Sequence, residues 1–170
     1  MLFRSVSALD FALFDNKNTY GLIGTARYSR IFSENGYDGF NGNLSFKKVS
    51  GKLQFEMTGN LETDKYDPND LGYLQAPNEL TTDARISYNQ RTPTKNFLSY
   101  IYSFSVSNSR LYKPFKWTET ELNATAFYFF KNFWDLTFIY SSKPLWQHDY
   151  FELRTPGRMV RMIDRKSTRL

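Results

Sequence analysis

The sequence predicts an all-β chain, an antiparallel up-and-down meander of about eight long strands. Three observations predict it. Apolar and polar residues alternate with a period of two over long stretches, as strands require because successive side chains point to opposite faces. Aromatics make up 18% of the 170 residues, and such rings suit a pleated, half-buried surface. Stretches rich in Asp, Asn, Gly and Pro separate the alternating runs and let each strand return beside its predecessor.

The clearest pattern is NLSFKKVSGKLQFEMTGNLE at 43–62. Leu53, Phe55, Met57, Gly59 and Leu61 share one face, and Gln54, Glu56, Thr58, Asn60 and Glu62 the other. In the preceding run Leu44 and Phe46 lie opposite Ser45 and Lys47. Val49-Ser50-Gly51 makes the turn, with Gly51 suited to a positive φ.

The other elements follow the same logic. Leu9, Phe11 and Leu13 alternate with Asp10 and Ala12, which predicts a strand over 5–14. After the polar turn 15–18, Tyr20, Leu22, Ala26 and Tyr28 mark one face of a strand over 19–29, with Ile23 out of place on the polar side. The stretch 30–38 reads as a longer connection to the hairpin over 39–62, and 63–79, with two prolines and Gly72, as the longest loop. Leu80, Ala84, Ile86 and Tyr88 give a strand over 80–90, followed by a turn around Pro93. Leu98, Tyr100, Tyr102, Phe104 and Val106 line one face of 96–108, with Ser99, Ser103, Ser105 and Ser107 opposite. A connection over 109–116 leads to a strand over 117–130, in which Glu119, Glu121, Asn123 and Thr125 form the polar face. Lys131-Asn132 turns the chain into 133–142, where Trp134, Leu136, Phe138 and Tyr140 face one way. The stretch 143–161 reads as irregular and basic.

In this reading the connections alternate in length, so the short ones gather at one end of the sheet and the long ones at the other. That is the organisation of a transmembrane β-barrel of the outer membrane. Strands of about eleven residues span about 36 Å, or about 26 Å when tilted by about 45°, enough for a hydrocarbon core. Tyr20, Tyr28, Tyr88, Tyr100, Phe130, Trp134 and Tyr140 lie near strand ends and suit interfacial girdles. Leu98, Tyr100, Tyr102, Phe104, Val106, Leu136 and Phe138 are then the lipid-facing residues, and outer-membrane lipid is the expected partner. A soluble β-sandwich binding module is the alternative, because a second sheet could cover the same apolar face.

Bulk properties narrow the function. No apolar run is long enough for a membrane-spanning helix, and a spanning barrel needs none. The absence of cysteine excludes disulfides and thiol chemistry. The N-terminus makes a poor signal peptide, since Asp10 interrupts its apolar stretch. The last seven residues, DRKSTRL at 164–170, resemble translated sequencing-adaptor DNA. The expected organisation is a partial barrel domain over 1–163, truncated at both ends, and an adaptor-derived tail over 164–170. The formal charge is +5, and the tail carries three basic residues and one acidic, so the rest stands at +3. That is too little to argue for nucleic acid as a partner.

Few side chains suggest chemistry. Asp64, Asp67 and Asp70 are weak calcium candidates, because their spacing fits no EF-hand and turn-forming Asp is the ordinary explanation. Tyr66, Tyr73, Tyr112, Trp117, Trp146, Tyr150 and Phe151 are loop aromatics that could stack on sugars or simply pack loops. Tyr66, Asp67, Asp70, Tyr73 and Trp146 form the candidate glycan-binding set. His148, the only histidine, stands beside Asp149 without a recognisable nucleophile motif. The pairs Glu119/Glu121 and Glu56/Glu62 share faces as glycosidase carboxylates would, but a polar barrel wall explains them more simply. No phosphate loop, zinc pattern or nucleotide fingerprint is present, so no catalytic residue and no cofactor is expected.

Three segments carry a family resemblance: DKYDPNDLGYLQAPNE (64–79), SRLYKPF (109–115) and HDYFELRTPGR (148–158). They resemble Gram-negative proteins that join an N-terminal carbohydrate-binding domain of the family-nine type to a C-terminal outer-membrane barrel. The barrel part is classed as a domain of unknown function. The resemblance extends to about Met162 and implies an outer-membrane location, with carbohydrate binding in sequence that this chain lacks. It carries over no catalytic residue. A solute-uptake barrel like the TonB-dependent receptors is the second functional reading. Substrate, total strand number and oligomeric state stay open at this level.

Overall fold

The computed structural model describes residues 3–32, 36–66, 77–149 and 160–162. Eight strands form one antiparallel sheet in chain order: β1 (Phe3–Phe14), β2 (Tyr20–Phe32), β3 (Asp38–Lys48), β4 (Leu53–Glu62), β5 (Glu79–Gln90), β6 (Phe97–Leu111), β7 (Trp117–Phe130) and β8 (Asp135–Ser142). β9 (Gln147–Asp149) and β10 (Val160–Met162) form a separate pair within the stretch that reads as irregular from sequence. The sheet is open, because β1 and β8 each have a single neighbour. The expected all-β meander is therefore present, and it does not close on itself.

Every connection between sheet neighbours is a hairpin. Gly51, at φ 81°, makes the turn between β3 and β4, a backbone conformation open to glycine without a steric cost. Asp15 closes the turn between β1 and β2 by accepting from the backbone N–H groups of Thr19 and Tyr20 at 2.5 and 2.8 Å.

The alternation of connection lengths is weaker than the sequence suggests. Pairing continues through 30–32 and 109–111, so the connections shrink to 33–37 and 112–116. They are no longer than 91–96 at the opposite end, and only 63–78 stays long. Three contacts extend the strands. Ile31 N–H donates to Tyr37 O at 3.0 Å, Arg30 Nε lies 3.5 Å from Asp38 Oδ1, and Leu111 N–H donates to Lys116 O at 2.7 Å. Turn residues placed between two strands do not stop pairing when both flanks still have partners. At the other end β8 starts at Asp135, so Phe133 and Trp134 belong to the turn, with Phe133 at φ 65°.

The register is staggered. The row that starts at Leu9 in mid-β1 runs through Ala26, Gly42, Leu61 and Leu80 to Arg110, near the end of β6. The row from Phe138 runs through Ala126, Tyr102 and Tyr88 to Leu53, where β4 begins. Rows therefore climb steadily from one end of the sheet to the other. This is the shear of tilted strands, which barrels require.

Burial is inverted relative to a globular core. Only Ile31, Tyr66 and Leu111 are buried apolar residues among those described, and no large side chain is fully buried. Leu9, Leu13, Leu44, Met57 and Phe138 stand more than half exposed on one face. Of the buried polar residues, Ser29, Asn41, Ser45, Asn89 and Ser109 belong to the other face, and Gln90, at the end of β5, is the exception. No described element packs as a second layer over the apolar face.

Candidate functional site

The candidate site is the sheet itself, through its two unlike faces. Alternation in β3 to β7 puts most hydroxyls, amides and charges on one side, interrupted by Ile101, Phe127 and Phe129, and register aligns them across strands. Arg27 Nη1 donates to Asn41 Oδ1 at 3.1 Å, and Asn41 Nδ2 donates to Glu62 Oε1 at 3.0 Å. These residues are direct cross-strand partners, and Glu79 stands opposite Glu62 on the next strand. Thr81 Oγ1 donates to Glu79 Oε1 at 3.0 Å. One step along, Asn43 Nδ2 donates to Asn60 Oδ1. Ser45 Oγ then donates to Glu56 Oε1 at 2.9 Å.

The carboxylate pairs of the sequence do not act together. Glu56 and Glu62 sit six residues apart on β4, about 20 Å, each with its own partner. Glu119 binds Lys143 Nζ at 2.9 Å, while Glu121 accepts from Asn123 Nδ2 at 2.8 Å and Ser141 Oγ at 3.4 Å. Each carboxylate is held as part of a polar wall.

The opposite face carries the apolar set. Tyr100, Tyr102, Phe104 and Val106 lie on it in β6, with Leu136 and Phe138 in β8. Leu98 falls at a register shift between Phe97 and Ser99 and has no cross-strand partner. The Phe97 ring takes the aromatic position instead, 5.0 Å from Phe130 and 5.5 Å from Tyr128. Sequence reasoning missed this, because a bulge shifts the parity of a strand without leaving a mark in its alternation.

Rings cluster at the end of the sheet where the chain turns through 15–19, 49–52, 91–96 and 131–134. Tyr20 stacks on Phe46 at 6.2 Å, and Phe46 meets Phe55 at 5.7 Å. Tyr88 stacks on Tyr100 at 6.2 Å, and Tyr102 meets Tyr128 edge-on at 5.7 Å. Between β5 and β6 a shallow groove of about 260 Å³ runs past Leu53, Ile86, Tyr88, Tyr102 and Phe104. At the other end this face turns polar. Arg110 Nε donates to Asn108 Oδ1 at 3.0 Å, and Asn108 Nδ2 donates to Thr120 Oγ1 at 2.8 Å.

The loop candidates divide. Asp67, Asp70 and Tyr73 lie outside the described residues. Asp64 is exposed, and the described residues hold no group of three metal-ligating side chains. Tyr66 is 5% exposed, so its ring is not presented to solvent. Its backbone lies so close to Gly39 that a Cβ there would stand 2.3 Å from Tyr66 Cα. Trp146 is exposed, and Trp117 packs edge-on against His148 at 5.3 Å. No described helix is long and apolar enough to cross a membrane, which does not bear on strands.

The model of a family described as a domain of unknown function (DUF5916) matches residues 4–170. No curated protein and no solved structure matches the chain.

Proposed function

Because the chain belongs to the DUF5916 family of domains of unknown function, with no relative to lend it an activity, we propose a role from the sheet itself. It forms part of the wall of an outer-membrane β-barrel, with its apolar face against lipid and its polar face lining an aqueous lumen. The observation that carries this reading is the inverted burial. Large apolar side chains stand uncovered on one face while serines and asparagines are buried on the other. In water such a face is an aggregation surface, whereas hydrocarbon covers it at no cost.

Strand length and register support the same reading. β6 and β7 run for 15 and 14 residues, well beyond the five or six of ordinary soluble strands. The staggered rows supply the tilt that a barrel wall needs. The aromatic clusters suit the headgroup level, and the groove along Tyr102 and Phe104 suits an acyl chain.

The absence of native cysteine makes the test clean. Single cysteines at Ser103, Phe104, Ser105 and Val106 are labelled with an environment-sensitive dye, and the protein is reconstituted into vesicles containing brominated lipid. Quenching should alternate, strong at 104 and 106 and weak at 103 and 105. Uniformly weak quenching would sink the membrane reading and favour a soluble sheet that pairs with a second layer.

A further inference from the structure

A cavity of about 340 Å³ opens on the polar face near the turn between β3 and β4. Lys47, Glu56 and Arg85 are consecutive cross-strand partners on β3, β4 and β5, and all three line it. The order cation, anion, cation predicts two ion pairs, and neither forms. Glu56 Oε1 is engaged by Ser45 Oγ at 2.9 Å. Lys47 and Arg85 make no hydrogen bond or ion pair with any described residue, whereas the neighbouring Lys48 donates to Leu53 O at 3.0 Å.

The floor is built and occupied. Asn89 Nδ2 donates to Gln54 Oε1 and to Ser87 Oγ, each at 3.2 Å. Gln54 Nε2 donates to the turn carbonyl of Val49 at 2.9 Å. These bonds tie the amides to the wall. Ser87 accepts there, which leaves its own proton to donate into the cavity. Beside Glu56 and the engaged Lys48, the lining thus offers the Lys47 ammonium, the Arg85 guanidinium and the Ser87 hydroxyl as donors without an acceptor among the described residues.

We propose that this cavity is a binding site for a compact oxyanion group, a carboxylate or a phosphate borne by a small solute. Lys47 and Arg85 supply charge from opposite sides, and the guanidinium can take two oxygens at once. Glu56 between them lowers the affinity and keeps the site from holding its ligand permanently. The site uses only the polar face, so it stands whether or not the opposite face meets lipid.

The test uses the full chain in detergent micelles, titrated separately with inorganic phosphate and with acetate in a calorimeter. Saturable binding of either is expected, and which one binds tells phosphate from carboxylate. Lys47→Gln and Arg85→Gln should each weaken it about tenfold, the worth of one charge-assisted hydrogen bond. Glu56→Gln should tighten it, an effect that loss of folding cannot mimic. Arg27→Gln, a cation change on the same face but outside the cavity, should leave it unchanged. No saturable binding of either anion would overturn the proposal. So would equal loss in Arg27→Gln and Arg85→Gln, or weaker binding in Glu56→Gln.

Discussion

Asn78 holds Lys113 by both backbone groups. Lys113 N–H donates to Asn78 Oδ1 at 2.7 Å, and Asn78 Nδ2 donates to Lys113 O at 2.7 Å. The Asn78 carbonyl also accepts from Tyr112 N–H at 3.2 Å. The two residues lie 35 apart in sequence, so one side chain joins the end of the long loop to the connection between β6 and β7. Asn78 sits at φ 89°, where asparagine and glycine are tolerated and other residues are strained.

The clamp gives a graded prediction. Asn78→Gly keeps the backbone conformation and loses both side-chain bonds, a cost of about 1–3 kcal/mol. Asn78→Ala adds about 1 kcal/mol of backbone strain to that loss. Urea unfolding in detergent micelles should therefore rank wild type above Gly and Gly above Ala. Equal stability of the two variants would mean that the backbone relaxes at no cost.

Face alternation predicts opposite tolerance at adjacent residues. On the proposed membrane reading Phe104→Arg puts a guanidinium from the uncovered apolar face into hydrocarbon and should cost about 2–4 kcal/mol, whereas Tyr102→Arg, within the ring cluster, should cost less because the penalty falls toward the interface. Ser103→Arg projects into the polar side and should insert nearly as well as wild type. The comparison is read from the folded fraction recovered in vesicles, and Leu136→Arg, near the start of β8 and beside Tyr128, should behave like Tyr102→Arg.

Gly39 predicts a packing limit. A methyl group there would lie 2.3 Å from Tyr66 Cα and 2.5 Å from Lys65 O, both backbone atoms that cannot swing away. Gly39→Ala should destabilise by about 1–3 kcal/mol, the usual cost of overpacking. Limited proteolysis should show faster cleavage next to Tyr66 in the variant than in wild type.

The relay through Asn41 predicts non-additivity. Its amide accepts from Arg27 and donates to Glu62 while nearly buried. Asn41→Ala should cost about 1–3 kcal/mol by orphaning both partners. Glu62→Gln keeps an acceptor for the same amide and should cost less. Combining Asn41→Ala with Glu62→Gln should cost less than the sum of the two, because Glu62→Gln then weakens a bond that Asn41→Ala has already removed.

Alternation made the sheet legible from sequence, and it did so residue by residue. The polar and apolar faces of β4, from Leu53 to Glu62, stand as the periodicity places them. What alternation could not supply was pairing. The ends of β2 and β6 depend on bonds to Tyr37 and Lys116 across a turn, which no single strand records. The exchange of Leu98 for Phe97 depends on a register shift against β7. The cavity depends on three residues from three strands, and alternation along a single strand marks only Glu56, as a carboxylate that shares a face with Glu62. A charge pattern read across strands, once register was known, would have found it.

Among the described residues each of β1 to β8 pairs only with its neighbours in the chain. Growth of this sheet therefore does not wait for a distant segment to arrive. A hairpin that has formed presents a finished edge to the next strand, and the sheet can grow in the order of synthesis or of delivery to a membrane, one loop closure at a time. The same property makes the order of loss readable. In this chain by itself, backbone amides of β8, paired on one side among the described residues, should exchange with solvent deuterium before those of β4 and β5, which are paired on both.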